Sequence, residues 1–410
     1  MISDALKSNN AIDIKRPPGW PRALPFALCL AAGLAQGEES TGLLQELTGV
    51  DPAQLPVLRD AGVALGGWLS LGGTYNNHDP GDHSNGTVTF NDRSGELQLN
   101  QLYLFAERAV DKEAKKWSLG GRVDFLWGTD SRFTQASGHW DENLIGRSGP
   151  RFYDLALPQA YLEIATPFKR GATVKIGHFY TILGQEVVQA PNNFFYSHAY
   201  AMQYGEPFTH TGALFNYPAG ANLSLNLGAV TAPYGKADNF DRHLENWNFL
   251  GGATWASEDG GTSLAASLTT GAVSAPGSPH RTIAAVVLSH GFGERLRYIL
   301  QFDHGVQSGA SARGDSAIWQ GLNQYLIYTL NEQWSLGLRA EWLRDHNGFR
   351  VLGAPASYYE TTLGADWKPK PWLLLRAEAR YDWSDGPGRS FDEGRRDSQL
   401  SLGANAAVSF

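Results

Sequence analysis

The sequence predicts an all-β protein, a closed antiparallel transmembrane β-barrel of about sixteen strands. Three observations predict it. Polar and apolar residues alternate from Gly66 onward, short and long connections alternate, and the composition is rich in glycine and aromatic residues although its mean hydropathy is low. The chain has 47 glycines, 13 tryptophans, 16 tyrosines and 19 phenylalanines. The mean hydropathy is nevertheless only −0.30. No charge-free apolar run reaches the ~20 residues that a membrane-spanning helix needs. A barrel avoids this requirement because only alternate residues face lipid.

The first 35 residues are expected to be an export signal that is cleaved. Basic residues, among them Lys15, Arg16 and Arg22, precede the apolar run 23–32, and small residues follow up to Ala35. Cleavage there would remove Cys29, the only cysteine, and leave a chain without thiol chemistry. The alternatives are a buried N-terminal helix, which prolines inside and before the run disfavour, and a lipid anchor on Cys29, which the neighbouring leucine disfavours.

Residues 36–65 are interpreted as a short periplasmic segment, and residues 66–410 as the outer-membrane barrel. The periplasmic segment contains one apolar-periodic stretch, 43–47, that predicts one or two helical turns before two prolines. From Gly66 the period changes to two and stays there, as expected for strands.

The third strand shows the pattern most plainly. Between Trp117 and Trp127 the odd positions are mostly apolar, whereas the even positions include Arg122 and Asp124. Ten residues of tilted strand span roughly 23 Å, close to the ~25 Å band between the aromatic girdles of a membrane barrel. The tryptophans therefore face lipid, and the charges face inward.

The same reasoning places charged residues of other strands inside the barrel. Charges that face inward need water, so the interior is predicted to be wet and of mixed charge. At ~2.4 Å of height per tilted residue, the cations are expected near mid-barrel. Two interpretations stay open, a constriction that sorts ions and salt bridges that brace the wall. The predicted pore-lining charges are Arg122, Asp124, Glu163, Lys175, Arg339, Glu341, Glu360, Arg376, Glu378 and Arg380.

The connections alternate between short and long, as periplasmic turns and extracellular loops do in outer-membrane barrels. Seven short turns and eight long loops predict about sixteen strands, and fourteen or eighteen remain open. Short links fall at about 111–115, 167–171, 218–220, 257–261, 291–294, 331–333 and 369–371. Long links fall at about 76–95, 128–155, 180–208, 231–244, 272–280, 305–316, 344–356 and 384–394.

The last strand places apolar residues on one face, from Leu400 to the terminal Phe410. A final amphipathic strand that ends in Phe resembles the segment that barrel-assembly machinery reads in other outer-membrane proteins. The predicted partners are therefore this machinery and outer-membrane lipid.

The 180–208 connection, between the fifth and sixth strands, is long and aromatic. Packing on the inner wall would bury its rings, which would be poorly placed in solvent. It is therefore predicted to narrow the pore as a constriction loop; a contact between subunits or a surface cap is the alternative. Its candidate residues are Glu186, Phe194, Phe195, Tyr196 and His198.

Four long segments resemble the putative β-barrel porin-2 family, and the resemblance covers nearly the whole chain after about residue 60. The segments are 177–212, which begins GHFYTILGQEVVQAPNNFFYSHAYAMQYG, then 321–351, 356–387 and 391–404. The resemblance implies an outer-membrane pore. It implies no particular substrate, and it supplies no catalytic residues.

The sequence argues against several other functions. A net charge of −8 and a pI of about 5.8 disfavour a nucleic-acid partner, which needs a basic surface. An enzyme is not expected, because HExxH and GxSxG motifs are absent and the adjacent pairs at Ser197 and Ser289 would point to opposite faces of a strand. No cofactor and no metal site is predicted; the stretch 78–83, with two histidines and two aspartates, is explained by solvated loop polarity.

The sequence thus predicts a porin of the bacterial outer membrane that lets small polar solutes and ions diffuse passively. The interspersed charges, with a slight excess of carboxylates, predict weak selectivity with a mild cation preference. The alternative function is a structural or adhesive barrel with a plugged lumen. A membrane-embedded hydrolase is the less favoured alternative. The oligomeric state, with a homotrimer as one option, stays open.

Overall fold

The computed structural model describes residues 42–50, 55–113, 116–138, 141–145, 151–167, 171–233, 239–240, 245–274, 277–310 and 314–410. The predicted export signal, 1–35, lies outside these residues. Two short helices precede the barrel, α1 (Leu43–Thr48) and α2 (Pro56–Ala61). Helix α1 covers the stretch in which helical turns were predicted. Within the described residues, no helix has the length and apolar character that a membrane crossing requires.

Sixteen strands form one closed antiparallel barrel in this part of the chain, as predicted. Two further helices, α3 (Ser131–Thr134) and α4 (Asp141–Ile145), lie in the connection between the third and fourth strands. The strands are β1 (Ala64–Asn76), β2 (Leu97–Arg108), β3 (Ser118–Gly128), β4 (Asp154–Ala165), β5 (Thr173–Tyr180), β6 (Thr209–Pro218), β7 (Leu223–Thr231), β8 (Trp247–Ala256), β9 (Thr262–Ala272), β10 (His280–Phe292), β11 (Leu296–Gln307), β12 (Ala317–Thr329), β13 (Trp334–Asp345), β14 (Ala356–Lys370), β15 (Leu373–Asp385) and β16 (Ser398–Ser409).

Each strand pairs with its neighbours in sequence, and β1 pairs with β16 to close the barrel. The closing register runs from Trp68 opposite Ser409 to Asn76 opposite Ser401. The short and long connections fall where the sequence placed them, within a few residues. Closure pairs every strand of the barrel on both sides, so that no sheet edge stays open. A membrane barrel requires this, because lipid cannot satisfy unpaired backbone groups.

The two faces of the wall differ as the alternation predicts. On β13, Trp334, Leu336 and Leu338 are exposed on the outside, whereas Arg339 and Glu341 are buried inside. Because the period is two, a single register fixes the face of every residue in a strand. The inner wall is consequently polar and charged.

The end of the barrel that carries the short turns also holds the last residue and α1. The backbone N–H of Phe410 donates to the carbonyl of Gly67 at 3.0 Å, and the N–H of Gly67 donates back at 3.2 Å. Lys370, at the end of β14, lies 3.0 Å from Glu46 of α1. At the other end, Ser137–Gly138 pairs in parallel with Asn239–Phe240, which joins two of the long loops.

Candidate functional site

The connection between β5 and β6 (residues 181–208, hereafter the constriction loop) folds into the barrel. It contains a 3₁₀ turn at Ala190–Asn192 and a π-helical turn at Ala201–Gly205. The rings of Phe195, Tyr196 and Tyr200 are buried there. The loop therefore packs against the inner wall, and its role as a constriction stays a prediction.

Glycines on the inner wall make room for three aromatic rings of this loop. A Cβ atom at Gly337 would overlap the ring of Phe194, and one at Gly72 would overlap that of Tyr196. A Cβ at Gly364 would come within 2.9 Å of the ring of Phe195. The strands thus contribute a surface shaped to these rings, and a larger side chain at any of the three positions would displace the loop.

Carboxylates of the wall bind the backbone N–H groups of the loop in pairs. Glu378 accepts from Tyr196 at 2.9 Å and from Ser197 at 3.0 Å. Glu341 accepts from Tyr200 and from Ala201, each at 2.6 Å. The two carboxylates therefore fix the loop at two points along its length.

Arginines of the same strands bind its carbonyl groups. Arg376 donates to the carbonyls of Asn193 and Phe195, both at 3.0 Å. Arg380 donates to the carbonyl of His198 at 2.6 Å. The loop backbone between residues 193 and 201 is consequently held by arginines that bind its carbonyl groups and by glutamates that bind its N–H groups.

Arg339 is the centre of the ion network and is fully buried. Its guanidinium donates to Glu360 at 2.5 Å and to Glu186 of the constriction loop at 2.7 Å. Glu186 also contacts Nδ1 of His198 at 3.1 Å. Arg339 lies 4.9 Å from the centre of the Phe195 ring. The network therefore joins the wall and the loop into one unit.

The remaining predicted charges form a second group on β3, β4 and β5. Arg122 donates to Asp124 at 2.7 Å, and the ammonium of Lys175 lies 4.5 Å from the centre of the Tyr161 ring. Glu163 is opposite Lys175 in the sheet register. The ten predicted charges all lie on the inner wall, in two groups on different sectors of it.

The constriction loop also contacts the wall on the side of β2. The hydroxyl of Tyr196 donates to Asn100 at 3.0 Å, and the N–H of Ala190 donates to Gln101 at 3.1 Å. Gln101 in turn donates to the carbonyl of Val188 at 2.6 Å. The loop, which begins at β5 and ends at β6, therefore contacts β2 and also the β13–β15 sector, which lies across the closed barrel from β5 and β6 in strand order.

Two cavities inside the barrel are small. One of about 10 Å³ is lined by Phe90, Asp130, His198 and Arg376, among others. One of about 20 Å³ is lined by Glu206, His210, Arg281 and Arg350, among others. Each has room for about one water molecule. Many of the charges expected to face open water instead contact the loop or one another.

Sequence reasoning missed residues that come from other loops. Arg350 lies in a long loop, yet it is buried and donates to the carbonyl of Tyr204 at 2.5 Å. Phe90 reaches the interior from the connection between β1 and β2. Asp130, just past β3, accepts hydrogen bonds from Asn100 and Gln101, and burial raises its pKa to about 6. The apolar residues Val88 and Phe90 within an otherwise polar connection were the available signal.

Ser197 and His198 were expected on a strand, and this expectation was wrong. Ser197 and His198 lie in the constriction loop, not on a strand, so strand geometry does not separate them. Their contacts differ: the Ser197 hydroxyl accepts from Arg339 at 3.0 Å, whereas His198 faces Glu186. In the described ranges, no three His, Asp or Glu side chains are grouped so that they could hold a metal ion.

Comparisons with known proteins agree with the fold. Solved structures similar to this chain include an anion-selective porin from Comamonas acidovorans, at 11% identity and a TM-score of 0.58, covering 85% of this chain and 99% of that one. The outer membrane channel DcaP of Acinetobacter baumannii has 13% identity and a TM-score of 0.57, with 85% and 97% covered. OprB of Pseudomonas putida has 13% identity and a TM-score of 0.56, with 86% and 96% covered.

A search of curated proteins finds no match. The model of one family, described as "Putative beta-barrel porin-2, OmpL-like", matches residues 62–410. The match begins two residues before β1 and extends over the whole barrel. The chain therefore belongs to this porin-like family of β-barrels in the bacterial outer membrane.

Proposed function

We propose that this barrel is a porin through which small polar solutes and ions diffuse passively, without catalysis. The observation that carries the proposal is the closed sixteen-stranded wall with a polar, charged inner face. Barrels of sixteen strands are wide enough for an aqueous channel, whereas barrels of about eight are filled by their own side chains. The family and the porin folds of the similar structures support a channel of this kind.

The constriction loop is proposed to set the size limit of this passage, through Glu186, Phe194, Phe195, Tyr196 and His198. Its backbone is held by Glu341, Glu378 and Arg376, so it is a fixed narrowing and not a free segment. A fixed narrowing restricts diffusion to small solutes. The expected conductance is therefore low for a barrel of this strand number.

The charges predict weak selectivity. Among the described residues, buried carboxylates outnumber buried arginines and lysines. Opposite charges stand close together, for example Arg380 and Asp382 at 2.8 Å, so each local field is largely cancelled within a Debye length of about 8 Å. The net effect is a mild preference for cations.

The experiment is planar-bilayer recording of the purified protein under a salt gradient. Discrete conductance steps and a reversal potential that indicates slight cation selectivity are expected. A strongly anion-selective reversal potential would show that the assignment of inward charges is wrong.

A second function is favoured by one specific observation: the constriction loop starts from β5 and β6 and contacts β13, on the opposite side of the lumen. A loop held on both sides could close the barrel, which would then serve as a structural or adhesive protein. Bilayer recording separates the two functions, because a closed barrel gives no conductance steps.

The proposed partners follow from the same structure. The exposed apolar outer face fits outer-membrane lipid, and the closing strand β16 with Phe410 fits recognition by barrel-assembly machinery. A homotrimer is the proposed assembly, since one similar structure, OmpT of Vibrio cholerae, is described in a trimer form.

A further inference from the structure

Three long loops enclose a cavity of about 380 Å³ at the end of the barrel that carries the long connections. The loops are those between β1 and β2 (residues 77–96, hereafter loop 1), between β13 and β14 (residues 346–355) and between β15 and β16 (residues 386–397). Small-molecule sites in proteins typically have volumes of about 300–1,000 Å³. This cavity is therefore large enough for a small organic solute, unlike the two cavities inside the barrel.

The floor of the cavity packs on the constriction loop. Ala356 and Tyr358 of β14 line the cavity from below and are buried. The ring centre of Tyr358 is 5.7 Å from that of Tyr200 in the constriction loop, and the two rings belong to one hydrophobic cluster. A solute in this cavity consequently lies above the segment that is proposed to narrow the pore.

Hydrogen bonds and close packing hold the walls of the cavity in place. In loop 1, the carbonyl of Asn85 accepts from Gln399 of β16 at 3.0 Å. In the loop between β13 and β14, the backbone N–H of Arg350 donates to Asp345 at 2.7 Å. A Cβ at Gly86 would come within 2.9 Å of the backbone of the third loop, so loop 1 and that loop are in direct contact. The cavity is therefore preformed, and a solute does not have to order its walls.

Two charged side chains of the lining have binding capacity that the protein does not use. The carboxylate of Asp82 accepts from the backbone N–H of Ser84 at 2.8 Å, but within the described part of the chain it forms no ion pair. The guanidinium of Arg389 donates to the carbonyl of Arg395 at 2.6 Å, and its ion pair with Asp397 is long, at 3.9 Å. Each group can therefore still bind an opposite charge.

The third charged residue of the lining is compensated by the protein. Glu393 lies 3.3 Å from the guanidinium of Arg395. One carboxylate and one guanidinium are left to act on a solute, so the cavity offers both signs without a net charge. A solute with a single charge meets attraction from one of these groups and repulsion from the other. A solute with both charges can pair with each, and this difference is the basis of specificity.

One wall of the cavity is apolar. It is formed by Leu352 and Ala354, and the Leu352 side chain is 52% exposed. A bound solute that covers this side chain gains the free energy of removing apolar surface from water. The cavity therefore favours a solute that carries an aliphatic group beside its charges.

We propose that this cavity is an outer binding site for small zwitterionic solutes with an ammonium, a carboxylate and a short aliphatic group, as in amino acids. Asp82 binds the ammonium, Arg389 binds the carboxylate, and Leu352 contacts the aliphatic group. The binding is weak, because both charged side chains are exposed to water. Weak binding suits a channel, since a solute must also leave the site. The inference rests on the proposed channel function, but binding can be measured without conductance.

The test is calorimetric titration of the purified barrel, in an uncharged detergent, with three probes that share one branched carbon chain. L-leucine carries both charges, 4-methylpentanoate carries only the carboxylate, and 3-methylbutylamine carries only the ammonium. We expect saturable binding of L-leucine. We expect the other two probes to bind at least ~10-fold more weakly, because each lacks one hydrogen-bonded charge.

Two variants assign the charges. Arg389→Gln is expected to lower the affinity for L-leucine at least ~10-fold without lowering that for 3-methylbutylamine. Asp82→Asn is expected to lower the affinity for L-leucine without lowering that for 4-methylpentanoate. Arg396→Gln is the matched control, because Arg396 belongs to the same loop as Arg389 and has a 61% exposed side chain, but does not line the cavity. Heat-dependent migration on gels verifies that each barrel is folded.

Absence of saturable L-leucine binding, or equal affinities for the three probes, would overturn the site. An equal loss of affinity in the Arg389 and Arg396 variants would show that only the charge of the loop matters, and would also overturn it. L-leucine binding to a barrel that gives no conductance steps would preserve the site and contradict the channel function. The two proposals therefore fail in different ways.

Discussion

Arg339 shows how one residue joins the wall to the constriction loop. It is fully buried, yet its five donors meet Glu360, Glu186 and the carbonyl and hydroxyl of Ser197. Two carboxylates compensate one guanidinium whose desolvation would otherwise be costly. A lysine could not reproduce this fork of hydrogen bonds.

Replacing Arg339 is expected to destabilise the barrel strongly. Arg339→Ala leaves Glu186 and Glu360 buried without their cation, which costs about 3–5 kcal/mol. Arg389→Ala is the control; its side chain is 60% exposed, and an exposed ion pair contributes about 0–1 kcal/mol. Urea unfolding of the two variants measures the difference. Equal midpoints would contradict the central role of Arg339.

At the scale of single residues, the alternation of polar and apolar residues predicted which face of the wall a side chain occupies. It did not predict which groups that side chain contacts. The sequence placed Arg376 and Glu378 inside, because a strand repeats every two residues. It did not predict that both bind the backbone of a loop 181–183 positions away in the sequence. That contact depends on the path of the constriction loop, which is not periodic.

Among the elements, β16 and β1 form the seam of the barrel. The ring of Phe410 packs over Gly67, where a Cβ would come within 2.9 Å of it. The paired backbone bonds of the same two residues fasten the end of the seam. A glycine is needed at this position because a Cβ would overlap the backbone carbonyl oxygen of Tyr103 and would also meet the ring.

Loss of the Phe410 ring is expected to reduce barrel assembly. Phe410→Ala removes the packing over Gly67 and the terminal ring proposed as an assembly signal. The measurement is the amount of heat-modifiable barrel in the outer membrane, which we expect to fall several-fold. Phe302→Ala, on the exposed face of β11, is the control. Equal amounts in both variants would show that the terminal ring is dispensable.

The strands and their connections were predictable, whereas the conformations of the long loops were not. The bounds of β13 and β14 follow from alternation and from the prolines and asparagines that flank them. The connection between β1 and β2, residues 77–96, contains mostly polar residues, yet Val88 and Phe90 in it are buried, and the Phe90 ring contacts rings on two other loops. Such contacts join parts of the chain that are distant in sequence, and no repeating pattern of residues marks them.

At the scale of the whole molecule, the structure combines a wide wall with a filled centre. Sixteen strands provide the width, and the constriction loop occupies the middle of it with charged contacts to β13 and β15. The proposed conduction therefore depends on how much of the lumen this loop leaves to water. The loop, more than the strand number, is expected to set the conductance.

Single-channel recording of the chain lacking residues 185–204, beside the unaltered chain, tests this account most directly. We expect discrete steps from the unaltered chain and steps of clearly larger conductance from the shortened one, because the removed segment narrows the passage. Steps from the shortened chain alone would support the closed structural barrel. Equal conductance in both, or none from either, would contradict the account of a porin narrowed by this loop.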